Sequence, residues 1–556
     1  MSIARLLECV PNFSEGRDPQ KIRLITAEIE ATDGVQLLNV DPGRATNRTV
    51  VTFVGAPEAV LEAAFRAIKK AAEVIDMRTH SGEHPRMGAT DVCPLVPISG
   101  VTLAEAAHYA RQLGERVGRE LGLTGYYYEE AATAPERRNL STVRAGEYEG
   151  LEAKLQDPRW QPDFGPATFN AGAGATVIGA RDFLVAYNLN LNTTSTRRAN
   201  AIAFDLRESG RSSKNPDGST TTQPGLLKAV KGIGWFIEEY GIAQVSLNLT
   251  NIRQTPVHVA FDTAVRAADA RGIRITGSEL VGLVPLAALL DAGRYFLGKQ
   301  QRSVGVSETE LVKIAVRSLG LDELAPFDPQ ERVIEYKLRQ LAGPAATRLV
   351  SMSLAALADE TASESPAPGG GSIAAAVGAL GAALGAMVAN LSAHKRGWDE
   401  RWAFFSDYAA QGQRHKDTLL ALVDADTVAF NQIMAGFGLP NKTEAEKAAR
   451  KAAIQAATKG AIETPLRVMQ EALASMDVLE AMVREGQPSS VTDAGVGVAC
   501  ARTAVLGAAL NVQVNAADVE DAGFKADALT RAAAMLAEAE RRETEILALV
   551  RAKLGL

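Results

Sequence analysis

Two of the chain's six histidines, His80 and His84, lie four residues apart in the segment 77–97, which reads MRTHSGEHPRMGATDVCPLVP. The same segment also holds the charged residues Glu83, Arg86 and Asp91. A charged loop that glycine and proline interrupt, and that leads into an apolar strand, can hold reactive groups rigidly. Histidine titrates near neutral pH and is therefore a natural general base. The segment predicts an active site.

The letters HSGEH also match the H-x-x-E-H pattern of one class of zinc peptidases. That chemistry requires His80 and His84 on one face of a helix, whereas Gly82 and Pro85 both oppose helical geometry. We therefore expect no metal. The alternative that both are ordinary loop histidines stays open, but we favour one catalytic histidine. We choose His84 because Pro85 restrains its backbone.

A second candidate region lies at 366–372, where PAPGGGS precedes an alanine-rich helix. The backbone amides of such a turn can point at a ligand, and a helix N-terminus favours anions. The turn lacks the lysine and spacing of a P-loop, so a nucleotide is not expected. The residues of this possible anion site are Gly369, Gly370, Gly371 and Ser372. A hinge or a close helix–helix approach explains the glycines equally well.

Two carboxylates, Asp424 and Asp426, interrupt the apolar helical pattern of VDADTVAF. Two residues apart, they point to different sides of a helix. A carboxyl group in an apolar site has a raised pKa and can move protons, but two solvated surface carboxylates fit the pattern as well. A further polar cluster fits either a site or a helix end, and it comprises Asn511, Asn515, Asp518 and Asp521.

The length, charge and cysteine content of the whole chain limit the class of protein and the partners that fit these groups. Its 556 residues predict two to four domains, and the formal net charge of −7 argues against nucleic acid as a main partner. The three cysteines are far apart, so no disulfide framework is indicated. The first residues show no signal-peptide pattern. The apolar run 373–391 has the length of a membrane span, but the amphipathic segments after it favour a buried helix. We expect a cytoplasmic enzyme.

Hydrophobic periodicity predicts the elements that must position these groups. In the first half the expected order is βαββαβ, which is the ferredoxin-like order, and a second mixed unit follows. The segments behind that order are strands 5–10, 35–41, 49–54 and 92–98, and helices 18–31 and 57–75, with a further helix at 103–121. Residues 157–174 have no periodicity, 175–190 form one long apolar run, and 209–224 read as a mobile surface loop. From about residue 349 the pattern is entirely helical.

Long stretches of the chain resemble the bifunctional formimidoyltransferase-cyclodeaminases of histidine breakdown and folate one-carbon metabolism. In the first half these are ECVPNFSEGR (8–17), DPGRATNRTV (41–50), GEHPRMGATDVCPLVP (82–97), RAGEYEGL (144–151), PDFGPATF (162–169) and SELVGLVPLAALLDA (278–292). In the second half they are APGGGSIAAAVGALGAALGAMV (367–388), VDADTVAF (423–430) and NVQVNAADVEDAGFK (511–525).

The resemblance implies an α+β transferase half, made of a duplicated ferredoxin-like unit, followed by an all-α cyclodeaminase domain. We place the two transferase subdomains at 1–182 and 183–330, a linker at 331–348 and the cyclodeaminase at 349–556. The implied reactions move the formimidoyl group of N-formimidoyl-L-glutamate to N5 of tetrahydrofolate and then close the ring to 5,10-methenyltetrahydrofolate, with release of ammonia. Polyglutamylated tetrahydrofolate is then a substrate, no cofactor is tightly bound, and the helical domain forms a homo-oligomer.

The resemblance also assigns roles to residues. The family's catalytic histidine falls on His84 and its cyclodeaminase aspartate on Asp426. Asp41, at the end of a strand, is a possible supporting residue. The folate-contacting segment comprises Gly165, Pro166, Ala167, Thr168, Phe169, Asn170, Ala171, Gly172, Ala173 and Gly174. Two alternatives stay open: a methenyltetrahydrofolate cyclohydrolase activity in the second half, or a non-catalytic folate-binding protein.

Overall fold

The computed structural model describes residues 5–44, 46–82, 85–215, 219–238, 240–341 and 348–556. The strands of the first sheet are β1 (Leu6–Cys9), β2 (Asn12–Phe13), β3 (Val35–Gly43), β4 (Arg48–Gly55), β5 (Thr90–Ser99), β6 (Thr124–Glu129) and β7 (Ala175–Ala180). The later strands are β8 (Val185–Leu191), β9 (Arg211–Lys214), β10 (Thr220–Gln223), β11 (Val230–Ile237), β12 (Ile242–Leu249) and β13 (Ile275–Val281).

The helices up to residue 341 are α1 (Pro19–Glu30), α2 (Pro57–Val74), α3 (Leu103–Arg116), α4 (Leu140–Val143), α5 (Leu151–Gln156), α6 (Thr196–Leu206), α7 (Val257–Asp269), α8 (Leu286–Lys299), α9 (Glu308–Leu319), α10 (Pro329–Arg332) and α11 (Ile334–Leu341). The remainder are α12 (Leu354–Thr361), α13 (Gly370–Ala393), α14 (Trp402–Phe437), α15 (Glu444–Glu485), α16 (Val491–Ala517) and α17 (Ala522–Leu554).

The chain divides into two compact units, residues 1–288 with 319–343 and residues 289–318 with 344–556. In the first unit, β1 and β2 lie one after the other between β4 and β5, and β3 flanks β4. These neighbours are antiparallel, whereas β7 and then β6 extend the sheet from β5 in parallel. Apolar side chains of the sheet and of α1, α2 and α3 form a common core.

Local sequence explains how the helices on this sheet begin. The Asp18 carboxylate accepts the backbone N–H groups of Gln20 and Lys21, and Pro19 opens α1. Thr102 and Glu105 form a reciprocal capping box at the start of α3. Both helices then bury one apolar face, which fixes their orientation on the sheet.

The second sheet of the same unit is antiparallel, in the order β11-β12-β8-β13. Alternate residues of β8 and β12, such as Leu189 and Val245, are fully buried, and α6 and α7 pack on this sheet. β9 and β10 form a separate two-stranded ribbon.

The helical unit is built around α13, which packs against α14, α15 and α16, while α17 packs against α15 and α16. Small residues such as Ala375, Ala382 and Ala389 are buried along α13 and allow close approach. The segment 289–318 joins this unit through the Gly305 carbonyl, which accepts hydrogen bonds from Asn390 and Gln413 at 2.8 and 3.2 Å. Among the described residues, Gly370–Ala393 and Pro488–Ala517 are long and apolar enough to cross a membrane by length and composition, and 61% and 50% of their most apolar windows are buried.

Several details differ from what the sequence predicted. The segment 209–224 is not simply a loop, because it contains β9 and β10. The apolar run 175–190 divides into β7 and β8, which belong to different sheets. The strand β6 was not predicted. Pro465 lies inside α15, which continues through the proline. Residues 289–318 pack in the helical unit.

Candidate active sites

Asn47 connects the two N-terminal loops of the first candidate site. Its side-chain oxygen accepts the Gly16 N–H at 3.0 Å, and its amide nitrogen donates to the Ser81 carbonyl at 2.9 Å. The residue is 8% exposed and has a φ of 46°, a conformation that side chains other than asparagine and aspartate tolerate poorly. A Cβ at Gly82 would collide with the Thr46 carbonyl, so that contact requires glycine. Asn47 thus fixes the approach to the loop that carries residues 83 and 84.

His80 has both ring nitrogens engaged. Arg86 Nε donates to its Nδ1 at 3.2 Å, and its Nε2 therefore donates to the Asn47 carbonyl at 2.8 Å. Burial lowers the pKa of His80, and the nearby Arg86 charge lowers it further. His80 is therefore a neutral, structural histidine whose Nδ1 lone pair already accepts the hydrogen bond from Arg86. His80 is therefore not placed to act as a base or as a ligand of the H-x-x-E-H kind.

Asp91 is fully buried at the start of the core strand β5. Its carboxylate accepts a hydrogen bond from Arg48 at 3.0 Å, from Arg144 Nε at 3.2 Å and from the Met87 N–H at 3.1 Å. Burial lowers the pKa of Arg48. A buried carboxylate between two guanidinium groups joins three distant parts of the chain and leaves an excess of positive charge beside the loop.

Arg86 holds the other end of the loop. Its guanidinium pairs with Glu149 at 2.6 Å and with Glu147 at 3.3 Å, and it is 6% exposed. The contact with Glu149 raises the pKa of Arg86 and lowers that of Glu149. Together, the contacts of Asn47 and Arg86 hold the described residues on both sides of positions 83 and 84.

Two clefts border this loop. One, of about 450 Å³, is lined by Ser14, Glu15, Arg17, Asp18, Pro19, Lys21, Asn47, Ile75, Asp76, Thr79 and His80. The other, of about 470 Å³, is lined by Ser81, Gly82, Arg86, Gly146, Glu147 and Glu149. Both clefts carry cationic and anionic side chains, as a site for a charged small molecule would.

The predicted folate segment, 165–174, lies against the same loop. The Ala89 N–H donates to the Ala173 carbonyl at 2.8 Å, and the Met77 N–H donates to the Gly172 carbonyl at 2.9 Å. The Tyr148 hydroxyl donates to the Ala171 carbonyl at 2.6 Å. The structure therefore brings this segment next to 85–91, while 165–168 are exposed.

The predicted base, His84, lies outside the described residues, as does Glu83, so its assignment stays a prediction. Asp41 is an exposed residue of β3 opposite Val50. Its proposed support of His84 stays a prediction as well.

In the helical unit, Asp426 meets the predicted glycine turn. The Ser372 hydroxyl donates to Asp426 Oδ2 at 2.9 Å, and the Ser372 backbone N–H bonds to the same carboxylate. Burial raises the pKa of Asp426, and these two bonds only partly oppose that rise. A Cβ at Gly371 would lie 2.6 Å from Asp426 Cγ, so the approach requires glycine. A carboxyl group with a raised pKa at a helix N-terminus is suited to accept and return a proton.

Asp424 points elsewhere on α14. Its Oδ1 accepts the Leu349 N–H at 2.9 Å, which is a structural contact. The polar cluster of α16 divides in the same way. Asn511 lies beside Gly370 and Asn515 donates to the Ala461 carbonyl, whereas Asp521 caps α17.

Sequence reasoning did not find the roles of Asn47, Arg48 and Arg144, although all three lie in stretches used for the family resemblance. A signal for Asp91 was present, because a charged residue directly before a fully apolar strand must find buried partners. Thr427, whose hydroxyl lies 3.4 Å from that of Ser372, was also missed.

Comparison with known proteins covers both units. Residues 6–181 match the family model described as the formiminotransferase domain, N-terminal subdomain, residues 186–339 match the formiminotransferase domain, and residues 353–534 match the model described as formiminotransferase-cyclodeaminase. The glutamate formimidoyltransferase of Streptococcus pyogenes serotype M1 is 42% identical over 295 residues, 53% of this chain and 94% of that protein.

The methenyltetrahydrofolate cyclohydrolase of Methylorubrum extorquens is 36% identical over 197 residues, 35% of this chain and 95% of that protein. A formimidoyltransferase-cyclodeaminase of Gallus gallus is 42% identical over 548 residues, 99% of each chain. Since that similarity extends over both units, the chain belongs to the formimidoyltransferase-cyclodeaminase family.

Proposed function

We infer that the chain is a bifunctional enzyme that transfers the formimidoyl group of N-formimidoyl-L-glutamate to N5 of tetrahydrofolate and then cyclises 5-formimidoyltetrahydrofolate to 5,10-methenyltetrahydrofolate with release of ammonia. The observation that carries this function is the full-length similarity to a formimidoyltransferase-cyclodeaminase. The partly buried Asp426 carboxyl group beside the glycine turn adds a chemical reason for the second activity.

In the transfer step, N5 attacks the formimidoyl carbon, and a tetrahedral carbon bearing both amines results. N5 must lose a proton and the departing glutamate nitrogen must gain one. One histidine near neutrality can do both, and His84 is assigned that role. The occupied ring of His80 supports the choice between the two histidines. Asp41 is assigned the role of orienting His84.

In the cyclisation step, N10 attacks the same carbon, the bond from this carbon to the amino group breaks, and ammonia leaves. Asp426 takes the proton of N10 and delivers one to the departing nitrogen. Its raised pKa supports this role, because a group that exchanges protons at neutral pH works best near that pH. Neither step requires electron transfer, and we propose that no cofactor is tightly bound.

The folate contacts are assigned to residues 165–174 in the first unit and to the turn 369–372 in the second. The hydrogen bonds that hold 171–173 against the 85–91 loop support the first assignment. The position of the turn at the N-terminus of α13, beside Asp426, supports the second.

The fold proposal is a duplicated ferredoxin-like transferase half. Its support is that β1-α1-β3-β4-α2-β5 and β8-α6-β11-β12-α7-β13 have the same order of elements along the chain. The corresponding strands are also neighbours in the same order, β3-β4-β1-β5 and β11-β12-β8-β13. The proposed domains are 1–182, 183–330, the linker 331–348, and 349–556.

We propose a cytoplasmic homo-oligomer that assembles through the helical unit. Large apolar side chains stay exposed on the neighbouring helices α13 and α16, namely Leu380, Met387, Leu391, Val496, Leu510 and Val514. Such a face is typical of a surface that a second copy covers. The three free cysteines fit a reducing compartment.

The experiment is an assay of both activities in the full chain and in His84→Ala. We expect transfer to fall by about 10²–10⁴-fold, the usual worth of a positioned acid–base group, while ammonia release from 5-formimidoyltetrahydrofolate is unchanged. Near-normal transfer by the variant would remove His84 from the mechanism. Loss of wild-type transfer on adding a zinc chelator would restore the metal alternative.

The second candidate function of the helical unit is hydrolysis of the methenyl ring, which the similarity to the cyclohydrolase favours. The cyclodeaminase activity closes the methenyl ring, whereas the cyclohydrolase activity opens it. Ammonia release from 5-formimidoyltetrahydrofolate identifies a cyclodeaminase, whereas water-driven opening of methenyltetrahydrofolate without ammonia release identifies a cyclohydrolase.

A further inference from the structure

We propose that Ser372 is a positioning residue for the second reaction, which holds the Asp426 carboxylate with its hydroxyl and its backbone N–H, and that Thr427 orients the hydroxyl. The hydroxyl binds Oδ2, which leaves Oδ1 as the oxygen that exchanges protons. The inference rests on the proposed function, since it concerns the same carboxyl group. It separates Ser372 from the glycines of the turn, which remain assigned to the substrate.

Ser372 has no donor left for a ligand. Its side chain is fully buried. The hydroxyl donates to Asp426 Oδ2 at 2.9 Å, and the backbone N–H bonds to the same carboxylate. Both of its hydrogen-bond donors therefore serve Asp426, and Ser372 acts on the substrate only through that group.

The backbone of α13 explains why the carboxylate comes from another helix. The residue before the helix, Gly369, has no side chain that could accept the N–H groups of the first turn. Ser372 is the third residue of α13, and its N–H is one that the side chain of a capping residue normally accepts. Asp426 of α14 takes that place. Since a helix N-terminus stabilises negative charge, this contact favours the ionised carboxylate.

Thr427 lies behind Ser372, with the two hydroxyl oxygens 3.4 Å apart. Because the Ser372 proton is engaged with Asp426, the Thr427 hydroxyl is the donor of this pair. A serine hydroxyl otherwise rotates among several directions, and accepting this bond favours the one that points at Asp426. In such a chain each hydrogen bond also polarises the next.

Burial raises the pKa of Asp426, and the two bonds from Ser372 oppose that rise. Over the part of the chain that the structure describes, no charged group shifts this pKa. The first turn of α13 carries no charge, and α16 presents the neutral amide of Asn511 at Gly370. Charged residues of α14 and α15 have other partners, namely Asp424 with the Leu349 N–H, Lys459 with Asp521 and Glu463 with Arg531. Ser372 is thus what keeps the carboxyl group acidic enough to ionise.

The test is the pH dependence of ammonia release from 5-formimidoyltetrahydrofolate in wild type and Ser372→Ala. The substitution removes a hydrogen bond from the ionised carboxylate, so the pH below which kcat declines should rise by about one unit. In the acidic range kcat should then be about tenfold lower. At high pH it should return to within about threefold of wild type, because the N–H still holds the carboxylate. KM should change less than about twofold, since Ser372 does not touch the substrate.

Thr427 supplies a second pair of variants. Thr427→Val keeps the shape and removes the hydroxyl, so the same limb should rise by about half a unit, whereas Thr427→Ser should retain the wild-type profile. The matched control is Ser392→Ala, which removes another fully buried hydroxyl from α13, one that donates to the Val388 carbonyl. The control should leave the pH profile unchanged.

The proposal is overturned if Ser372→Ala leaves the pH profile unshifted, whether kcat is normal or uniformly low, or if Ser392→Ala shifts the profile equally. If the wild type releases no ammonia, the proposed function fails, and direct titration of Asp426 decides the role of Ser372. The probe is the infrared carbonyl band of the protonated carboxyl group, identified by its loss in Asp426→Asn. Its midpoint should lie about one pH unit higher in Ser372→Ala, and equal midpoints would contradict the role.

Discussion

The sheet-based unit and the helical unit place the carboxylates Asp91 and Asp426 in opposite surroundings. Asp91 lies between the guanidinium groups of Arg48 and Arg144. Among the residues that the structure describes, Asp426 receives its hydrogen bonds from Ser372 alone, and burial raises its pKa. Two guanidinium partners make Asp91 part of an ionic contact that holds the chain together, whereas the raised pKa of Asp426 suits that group to accept and return a proton. We therefore propose a structural role for Asp91 and a chemical role for Asp426.

The two candidate sites also differ in how much of the chain builds them. In the sheet-based unit, side-chain contacts involve residues 16, 47, 48, 81, 86, 91, 144 and 149. In the helical unit, α13 and α14 suffice to bring the glycine turn to Asp426. A site made from two rigid helices is expected to respond sharply to a change of one atom at the contact, whereas a loop site distributes the loss over several hydrogen bonds.

The largest expected effect is that of Asp426→Asn, which keeps the shape and removes the titrating group. Ammonia release should fall by about 10²–10⁴-fold, formimidoyl transfer should persist, and 5-formimidoyltetrahydrofolate should accumulate. Because the pKa of Asp426 is raised and its ionised form is the base, wild-type kcat should decline as the pH falls through that raised value.

Asp424→Asn is the matched control on the same helix. It retains a side-chain oxygen for the Leu349 N–H, so we expect near-normal turnover and at most a small loss of stability. An equal loss of turnover in both variants, with unchanged melting temperatures, would end the assignment of one catalytic carboxylate.

Gly371→Ala should produce the next largest effect, because the added methyl group would meet the Asp426 carboxylate. Displacing a reacting group by about 1 Å can lower a rate by about 10²-fold, and we expect a loss of that size in ammonia release alone. Gly460→Ala, at an exposed position of α15, is the control, since a Cβ there has nothing within 4 Å. Full activity in Gly371→Ala would show that the site adapts and that the helical unit is less rigid than the comparison requires.

The sequence predicted the elements of both units where a hydrophobic pattern was strong, as in α2 or β5. It missed the strands of the ribbon, Arg211–Lys214 and Thr220–Gln223, because they are polar and have no apolar face to reveal the period of a strand. It missed β6 because TGYYYE lacks the alternation of a half-buried strand, and the structure buries the run on both faces.

Site residues were predictable where the chemistry was local, and not where it depended on distant partners. Helix geometry shows that Asp424 and Asp426 face different ways, but the position of α13 decides which of them meets the glycine turn. The partners of Asn47 are 31 and 34 residues away in sequence. No local pattern indicates that an asparagine in a turn will join those two loops.

Asn47 offers a test of the loop site. Asn47→Ala removes both side-chain hydrogen bonds and places alanine at a φ of 46°, so we expect formimidoyl transfer to fall about tenfold or more, with ammonia release unchanged. Asn47→Gly accepts the backbone conformation but also lacks the amide. Normal transfer in the glycine variant would show that only the backbone matters, and that the two loops do not need this connection.

Glu8 tests whether a raised pKa alone marks a catalytic carboxyl group. It is 2% exposed in β1, and burial raises its pKa to about 7 although Arg181 opposes the rise. The folded state therefore binds more protons than the unfolded chain between about pH 4.5 and pH 7, and the contribution of Glu8 to the free energy of unfolding is lost as the pH rises through that window. This contribution to the free energy of unfolding is about 3 kcal/mol.

In Glu8→Gln this part of the pH dependence should vanish, as denaturant unfolding at pH 5 and pH 7.5 would show, while both activities stay normal. A large loss of either activity with an unchanged stability profile would place Glu8 in the chemistry and would remove the distinction drawn between buried structural carboxylates and Asp426.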